Sequence, residues 1–454
     1  MFVNAFVMCV AAVISAPAEA GPPVALRYTG SLTATGRESN GQVQKRFSVF
    51  VFLRPQAGGG ETLSYVLEER GSGEWAWPER FGRMTFDPQT QMTEGKPWKL
   101  LQDHKGVPQV VKILGPIFTA PEALKEGGTW QQGNETAMVT AGGQKRERDC
   151  WQIQVKTPLG PKRTVWREKN SPLIVEGEER IFLGQGEEHT LKWQLESQQA
   201  VSAVDVERWS KLQETLFKLQ QDLQRGEDNH RGELTEKQLD RTALAVSEIG
   251  ETAVGTPFSQ LVSSIRRDLK SQQQRGDELF QLAKKMVGSP APPLKLRLID
   301  QSEAQPIDYK GKITVLHFWD YKLEPLVEPY GQVGYLDFLY SKRHKLGVQI
   351  YGVALDTRAE KPETRAAADR AVGKLKDFMN LAYPLAVESP GLIQEFGDPR
   401  KAGGRLPLWV VIGPDGKYAF YRTGFFQLKP DEGLKELDDV LVKMIQEMHA
   451  VEKK

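Results

Sequence analysis

The hydrophobic pattern changes period along the chain, and each change marks a different kind of element. From about Arg27 to Ser197 apolar and polar residues alternate. In "CWQIQVK", Trp151, Ile153 and Val155 share one face, and Gln152, Gln154 and Lys156 share the other. "TLKWQLES" repeats the pattern with Leu191, Trp193 and Leu195. A period of two sends successive side chains to opposite faces of a strand, so these segments predict strands with one buried face. "FSVFVFLR" is apolar on both faces and predicts a strand covered on both sides. Turn formers separate the runs: Gly58-Gly59-Gly60, Gly127-Gly128, Gly142-Gly143, "PLGPK" and "LGQGEE". Residues 21–200 are therefore expected to form a large antiparallel sheet, curved or half-closed into a barrel.

From Val206 to Val287 the period becomes helical. Trp209, Leu212, Leu216, Leu219 and Leu223 form the seam of one helix. Thr235 and Gln238 have capping-box spacing ahead of a second, which carries Leu239, Ala243 and Val246. Thr256-Pro257 reads as the start of a third, with Phe258, Leu261, Val262, Ile265 and Leu269 on one face. Residues 205–287 are expected to make a helical hairpin or three-helix arm for spacing, docking or self-association. Its acidic residues and histidines lack metal-ligand spacing.

"VGSPAPPLKL" is a proline-rich stop and marks a domain boundary. Beyond it, in 288–454, Val- and Ile-rich strands alternate with helical patterns, as in βαβ units over a central sheet. "GPDG" predicts a hairpin joining the last strands, and Leu434, Leu437, Leu441 and Ile445 line a closing amphipathic helix. The fold class is multidomain: an antiparallel β domain, a helical arm and an α/β domain.

Composition sharpens this picture in two places. The net charge of the 454 residues is +1, with no basic field for nucleic acid. The N-terminal "MFVNAFVMCVAAVISAPAEAGPP" reads as a signal peptide in residues 1–20, cleaved after about Ala20. An exported location, periplasmic or extracytoplasmic, is expected, without a transmembrane span in the mature chain. The chain has 2 cysteines, Cys9 and Cys150, so cleavage leaves Cys150 alone and closes off any intramolecular dithiol. Arg146, Arg148 and Asp149 precede Cys150, which makes it a candidate thiol; a small buried side chain is the commoner role.

The segment "GSPAPPLKLRLIDQSEAQPIDYKGKITVLHFWDY" is similar to the entry of TlpA/ResA-type thioredoxins and of the redoxin (AhpC/TSA) superfamily, with Ala291-Pro292, Gly311-Lys312 and Phe318-Trp319 in matching order. "GVQIYGVALDT", "YPLAVESPGLIQEFGDP" and "RLPLWVVIGPDGKYAFYRTGFF" continue the likeness. The resemblance implies a thioredoxin-like fold with Pro407 as a cis-proline facing the active-site loop. It also implies that Leu323 and Leu326 stand where the family carries its two CxxC cysteines, with Pro325 between them. Trp319, Asp320, Tyr321, Lys322, Pro325, Leu406 and Pro407 are then the groove candidates. With both sulfurs replaced by leucine, no catalytic residue, metal or cofactor is expected. The leading expectation is a redox-inactive module binding a protein or peptide in the cell envelope. A thiol-disulfide oxidoreductase or peroxidase working through Cys150 or partner thiols is the alternative.

"DCWQIQVKTPLGPKRTVWREKNSPLIVEGEERIF" resembles LolA-like exported half-barrel domains. That likeness implies a further alternative, an apolar small ligand or lipid carried by the β domain.

Overall fold

The computed structural model describes residues 21–36, 41–56, 60–87, 92–120, 124–225, 232–301, 303–321, 332–426, 428 and 432–452. The signal-peptide expectation for residues 1–20 lies outside them. The chain divides into two compact units, Met1–Lys270 and Ser271–Lys454.

The first unit runs β1 (Val24–Ala34), β2 (Val43–Pro55), β3 (Glu61–Gly71), β4 (Phe81–Asp87), β5 (Met92–Gly95), β6 (Trp98–His104), β7 (Val107–Ile113), β8 (Thr129–Gln132), β9 (Glu135–Lys145), β10 (Arg148–Thr157), β11 (Gly160–Glu168), β12 (Ile174–Leu183) and β13 (Glu187–Ala200). Helices α1 (Ala203–Leu223), α2 (Glu236–Ile249) and α3 (Ser259–Met286) follow, and the division between units falls within α3. Among the described residues, 11 strands form one antiparallel sheet in the order β5-β4-β3-β2-β1-β13-β12-β11-β10-β9-β8.

Strand β2 shows why the sheet is covered twice. Phe47, Val49 and Val51 enter one core with Tyr28, Leu191 and Trp193. Phe50 and Phe52 point the other way and meet the Trp209 ring edge-on at 5.5 and 5.3 Å. On that second face Val66, Trp77 and Phe81 are buried with Leu212, Leu216, Val246, Phe258 and Ile265 of the helices. Each such side chain contributes about 1.5–3 kcal/mol by leaving water. The helices expected as an arm over 205–287 therefore belong, as far as Lys270, to the same unit as the sheet. The physical reason is that an apolar second face needs a cover.

The first face is filled from within. Strands β6 and β7 form a separate hairpin whose Trp98, Leu100, Val111 and Ile113 are buried in the sheet's own core. Trp98 packs edge-on against Tyr28 at 5.4 Å. Glu69 of β3 fastens this hairpin: its carboxylate accepts from the backbone N–H of Trp75 at 2.6 Å and of Leu101 at 3.2 Å. Lys45 completes the buried pair at 3.1 Å.

In the second unit, β14 (Leu294–Leu296) and β15 (Gln305–Ile307) form a small ribbon. Then follow β16 (Ile313–Asp320), α4 (Val333–Arg343), β17 (Val348–Leu355), α5 (Pro362–Met379), β18 (Leu385–Val387), α6 (Leu392–Glu395), β19 (Leu408–Ile412), β20 (Tyr418–Thr423) and α7 (Lys435–Glu452). The sheet order is β18-β17-β16-β19-β20, with β16, β17 and β18 parallel and β19 antiparallel to both its neighbours. Central strand β16 is buried from Ile313 to Trp319, with Val315 and Trp319 in one core and Leu316 and Phe318 in the other. Helix α7 covers the first of these cores with Leu437, Leu441 and Ile445.

Candidate functional site

The C-terminal end of β16 and the entry to β19 lie side by side. The antiparallel register pairs Phe318 with Leu408, so Pro407 falls beside Trp319 at the sheet's rim. The Leu406–Pro407 peptide is cis. The Pro407 carbonyl accepts from Gly424 N–H at 2.8 Å, which ties this turn to the end of β20. Pro407 is buried, Leu406 half-buried and Arg405 exposed, giving the turn a graded surface.

Beneath the rim lies a stack of rings. Trp409 lies parallel to His317 with centroids 3.9 Å apart, and donates its indole N–H to the Gly424 carbonyl at 3.2 Å. Trp319 is fully buried, and Tyr321 packs on it at 6.0 Å. A glycine is required at 352 on the neighbouring strand. A Cβ there would sit 2.5 Å from Leu385 and 2.9 Å from Tyr383, against the same wall that holds Trp319.

The rim charges are held in place by short-range pairing. Asp356 accepts from the Arg358 backbone and guanidinium, and Asp398 does the same for Arg400 two residues on. The Arg400 guanidinium holds the Asp398 carboxyl below the usual carboxylate range despite its burial. Arg358 stands over the Tyr321 ring at 5.6 Å, and the Tyr321 hydroxyl donates to the Ala371 carbonyl at 3.2 Å. Asp320 and Tyr321 are thus positioned at the end of the central strand, half-exposed.

Of the sequence-derived groove candidates, the structure brings together Trp319, Asp320, Tyr321, Leu406 and Pro407. Lys322, Leu323, Pro325 and Leu326 lie outside the described residues. Sequence reasoning missed Gln332, at the start of α4. Its buried side-chain amide donates to the Phe426 carbonyl at 2.7 Å and accepts from Phe426 N–H at 3.0 Å. It also missed the two Asp-x-Arg staples, whose repeated spacing at 356–358 and 398–400 is visible in the chain.

Cys150 belongs to the other unit and is fully buried on β10, where burial pushes its thiol pKa up and the Glu168 carboxylate adds to the shift. That is the opposite of what a reactive thiol needs. Among the described residues no group of His, Cys, Asp and Glu has the arrangement of a metal site.

Residues 287–420 match the AhpC/TSA family. The C-terminal unit is a redoxin domain of the TlpA/ResA type. Over 151 residues the chain is 28% identical to the thiol-disulfide oxidoreductase ResA of Oceanobacillus iheyensis, covering 32% of this chain and 70% of that protein. Solved structures similar to the redoxin domain include the thioredoxin domain of a thiol-disulfide oxidoreductase from Bacteroides vulgatus, at 18% identity, TM-score 0.25, and coverage of 34% of this chain and 96% of that one. A secreted thiol-disulfide isomerase from Corynebacterium glutamicum is 14% identical with a TM-score of 0.25, covering 34% of this chain and 85% of that one.

Proposed function

We propose that the redoxin domain is a binding module that holds an extended polypeptide in the cell envelope without thiol chemistry. One observation carries this reading: both cysteines of the chain, Cys9 and Cys150, fall outside the matched residues 287–420. Thioredoxin-type exchange needs a thiolate to attack and a second thiol to resolve the mixed disulfide. Leucine, which stands at 323 and 326, can neither ionise nor attack. The frame around the missing sulfurs is kept in Trp319, the ring stack beneath it and the Leu406–Pro407 turn. Kinship with thiol-disulfide oxidoreductases therefore supports the fold, and the site's own residues decide the chemistry. The buried Cys150, with its thiol pKa pushed up, weighs against the oxidoreductase alternative.

Export belongs to the same proposal, supported by the apolar N-terminal segment ending in Ala18-Glu19-Ala20. Among the described residues no helix is long and apolar enough to cross a membrane. The test is binding of the full chain to an array of extended peptides, with and without reductant. The expected result is saturable binding that reductant does not change and that Leu406→Asp weakens about tenfold or more. Binding that vanishes on adding reductant would overturn the proposal.

A further inference from the structure

We infer that the seam between helix α1 and the sheet holds a binding site for a small monovalent anion, of the size of chloride or formate. The site lies where α1 crosses strands β2, β3 and β4, all within the first unit. Ser64 of β3 stands opposite Phe52 of β2 on one side and Arg83 of β4 on the other. Directly opposed residues of antiparallel strands share a face, so these three form one row beneath the helix. The Trp209 ring meets Phe52 edge-on at 5.3 Å, and the Arg83 guanidinium lies 4.2 Å from the centre of the Phe217 ring. Gln213 is one helical turn from both Trp209 and Phe217 and shares their face, which sets it over Ser64.

Gln213 is out of place there. Leu212, Leu216, Leu219 and Leu223 make the rest of the α1 seam apolar, and Gln213 is as buried as they are, at 1% exposure. Ser64 is buried to the same 1%. Among the described residues neither the amide nitrogen nor the amide oxygen of Gln213 has a hydrogen-bond partner, and neither has the Ser64 hydroxyl. Buried polar side chains are nearly always paired, with protein or with something bound. An amide and a hydroxyl left unpaired on facing sides of one helix–sheet seam therefore mark the place of a bound group.

The surrounding charge gives that group its sign. Arg54 lies over the Phe52 ring at 5.4 Å and donates to the Ser210 hydroxyl at 2.9 Å. Arg54 and Arg83 thus flank Ser64 and Gln213, each laid on an aromatic ring. Burial lowers the Arg54 pKa, the Arg83 guanidinium lowers it further, and the Glu214 carboxylate opposes both. Two guanidiniums against one carboxylate leave a single positive charge in excess, which one monovalent anion offsets. The Gln213 amide and the Ser64 hydroxyl supply donors from the helix and from the sheet. The rings of Phe52, Trp209 and Phe217 line the site, which favours a small ion over a bulky or multiply charged one.

The test compares melting temperatures of the full chain in sodium chloride, sodium formate and sodium gluconate at equal ionic strength. Chloride or formate should raise the melting temperature along a saturating curve, and gluconate, a bulky monovalent anion, should not. The more effective of the two small anions identifies the ion. Ser64→Ala should raise the anion concentration needed for half the effect about fivefold. Gln213→Leu should abolish the effect, and in gluconate it should melt above the unmodified chain, because it removes a buried amide that the protein does not pair. If Gln213→Leu fails to fold, the Ser64→Ala result stands in its place. No saturating rise with either small anion, an equal rise in gluconate, or an undiminished rise in both variants would overturn the inference.

Discussion

In the C-terminal unit, central strand β16 is buried on both faces and framed by motifs in redoxin order. In the N-terminal unit buried charges stand on a sheet face that packing alone would have made apolar. The first region has a fold known for thiol chemistry and carries no cysteine in residues 287–420. The second holds costly polar groups without a fold that explains them. Family likeness reports what the backbone can support, and only the side chains at a site report what it does.

Several substitutions would break or sharpen this contrast. The largest effect belongs to Glu69→Ala, which strands the Lys45 ammonium and leaves the backbone N–H groups of Trp75 and Leu101 without their acceptor. A loss of about 3–5 kcal/mol is expected from urea denaturation followed by tryptophan fluorescence. A loss below about 1 kcal/mol would mean the hairpin is held by its apolar residues alone. In the redoxin domain, Gln332→Leu removes both partners of the Phe426 backbone and should cost about 1–3 kcal/mol. It should also weaken peptide binding if α4 must be fixed for the rim to form.

Two carboxyls, Asp438 in the second unit and Glu179 in the first, should respond to pH with opposite signs. Arg343 and Lys342 hydrogen-bond Asp438 and hold its carboxyl below the ordinary range despite burial. Its stabilisation is present above the ordinary carboxylate pKa and is lost as pH falls through the depressed value. Asp438→Asn should thus lower stability at neutral pH by about 1 kcal/mol and flatten the acid limb of a melting-temperature profile. Burial raises the Glu179 carboxyl, so its contribution is present below the ordinary pKa and lost as pH rises through the raised one. Glu179→Gln should therefore change stability at neutral pH least of all, by no more than about 1 kcal/mol in either direction. A larger loss would show that the ionised carboxylate is needed to hold Arg163.

How much of this was legible in the sequence follows from the range of each interaction. Local signals read true. The Thr235–Gln238 capping box forms, with Thr235 N–H to the Gln238 side chain at 2.9 Å. The two-sided apolar pattern of β2 marks a strand covered on both faces. Helix α3 begins at Ser259, two residues beyond the expected first turn, because the Thr256 hydroxyl first caps the Phe258 N–H. Contacts set by tertiary register were hidden. Nothing in "WKLLQDHKGVPQVVKI" says that β6 and β7 fill the interior of another sheet. Arg163, Glu135 and Glu179 meet only once the β9–β12 pairing is known, and Gln332 reaches Phe426 across 94 positions. The rim of the redoxin domain was readable because its motifs are ordered along the chain, whereas the Arg163–Glu179 cluster is an accident of register to any single-sequence reading.

The central claim, that the redoxin domain works without thiol exchange, is tested most directly by insulin reduction. The purified full chain and its Cys150→Ser variant would be assayed with dithiothreitol as electron donor. The account predicts that neither accelerates insulin precipitation above the reductant-only rate. Thioredoxin-like turnover that survives Cys150→Ser would contradict it.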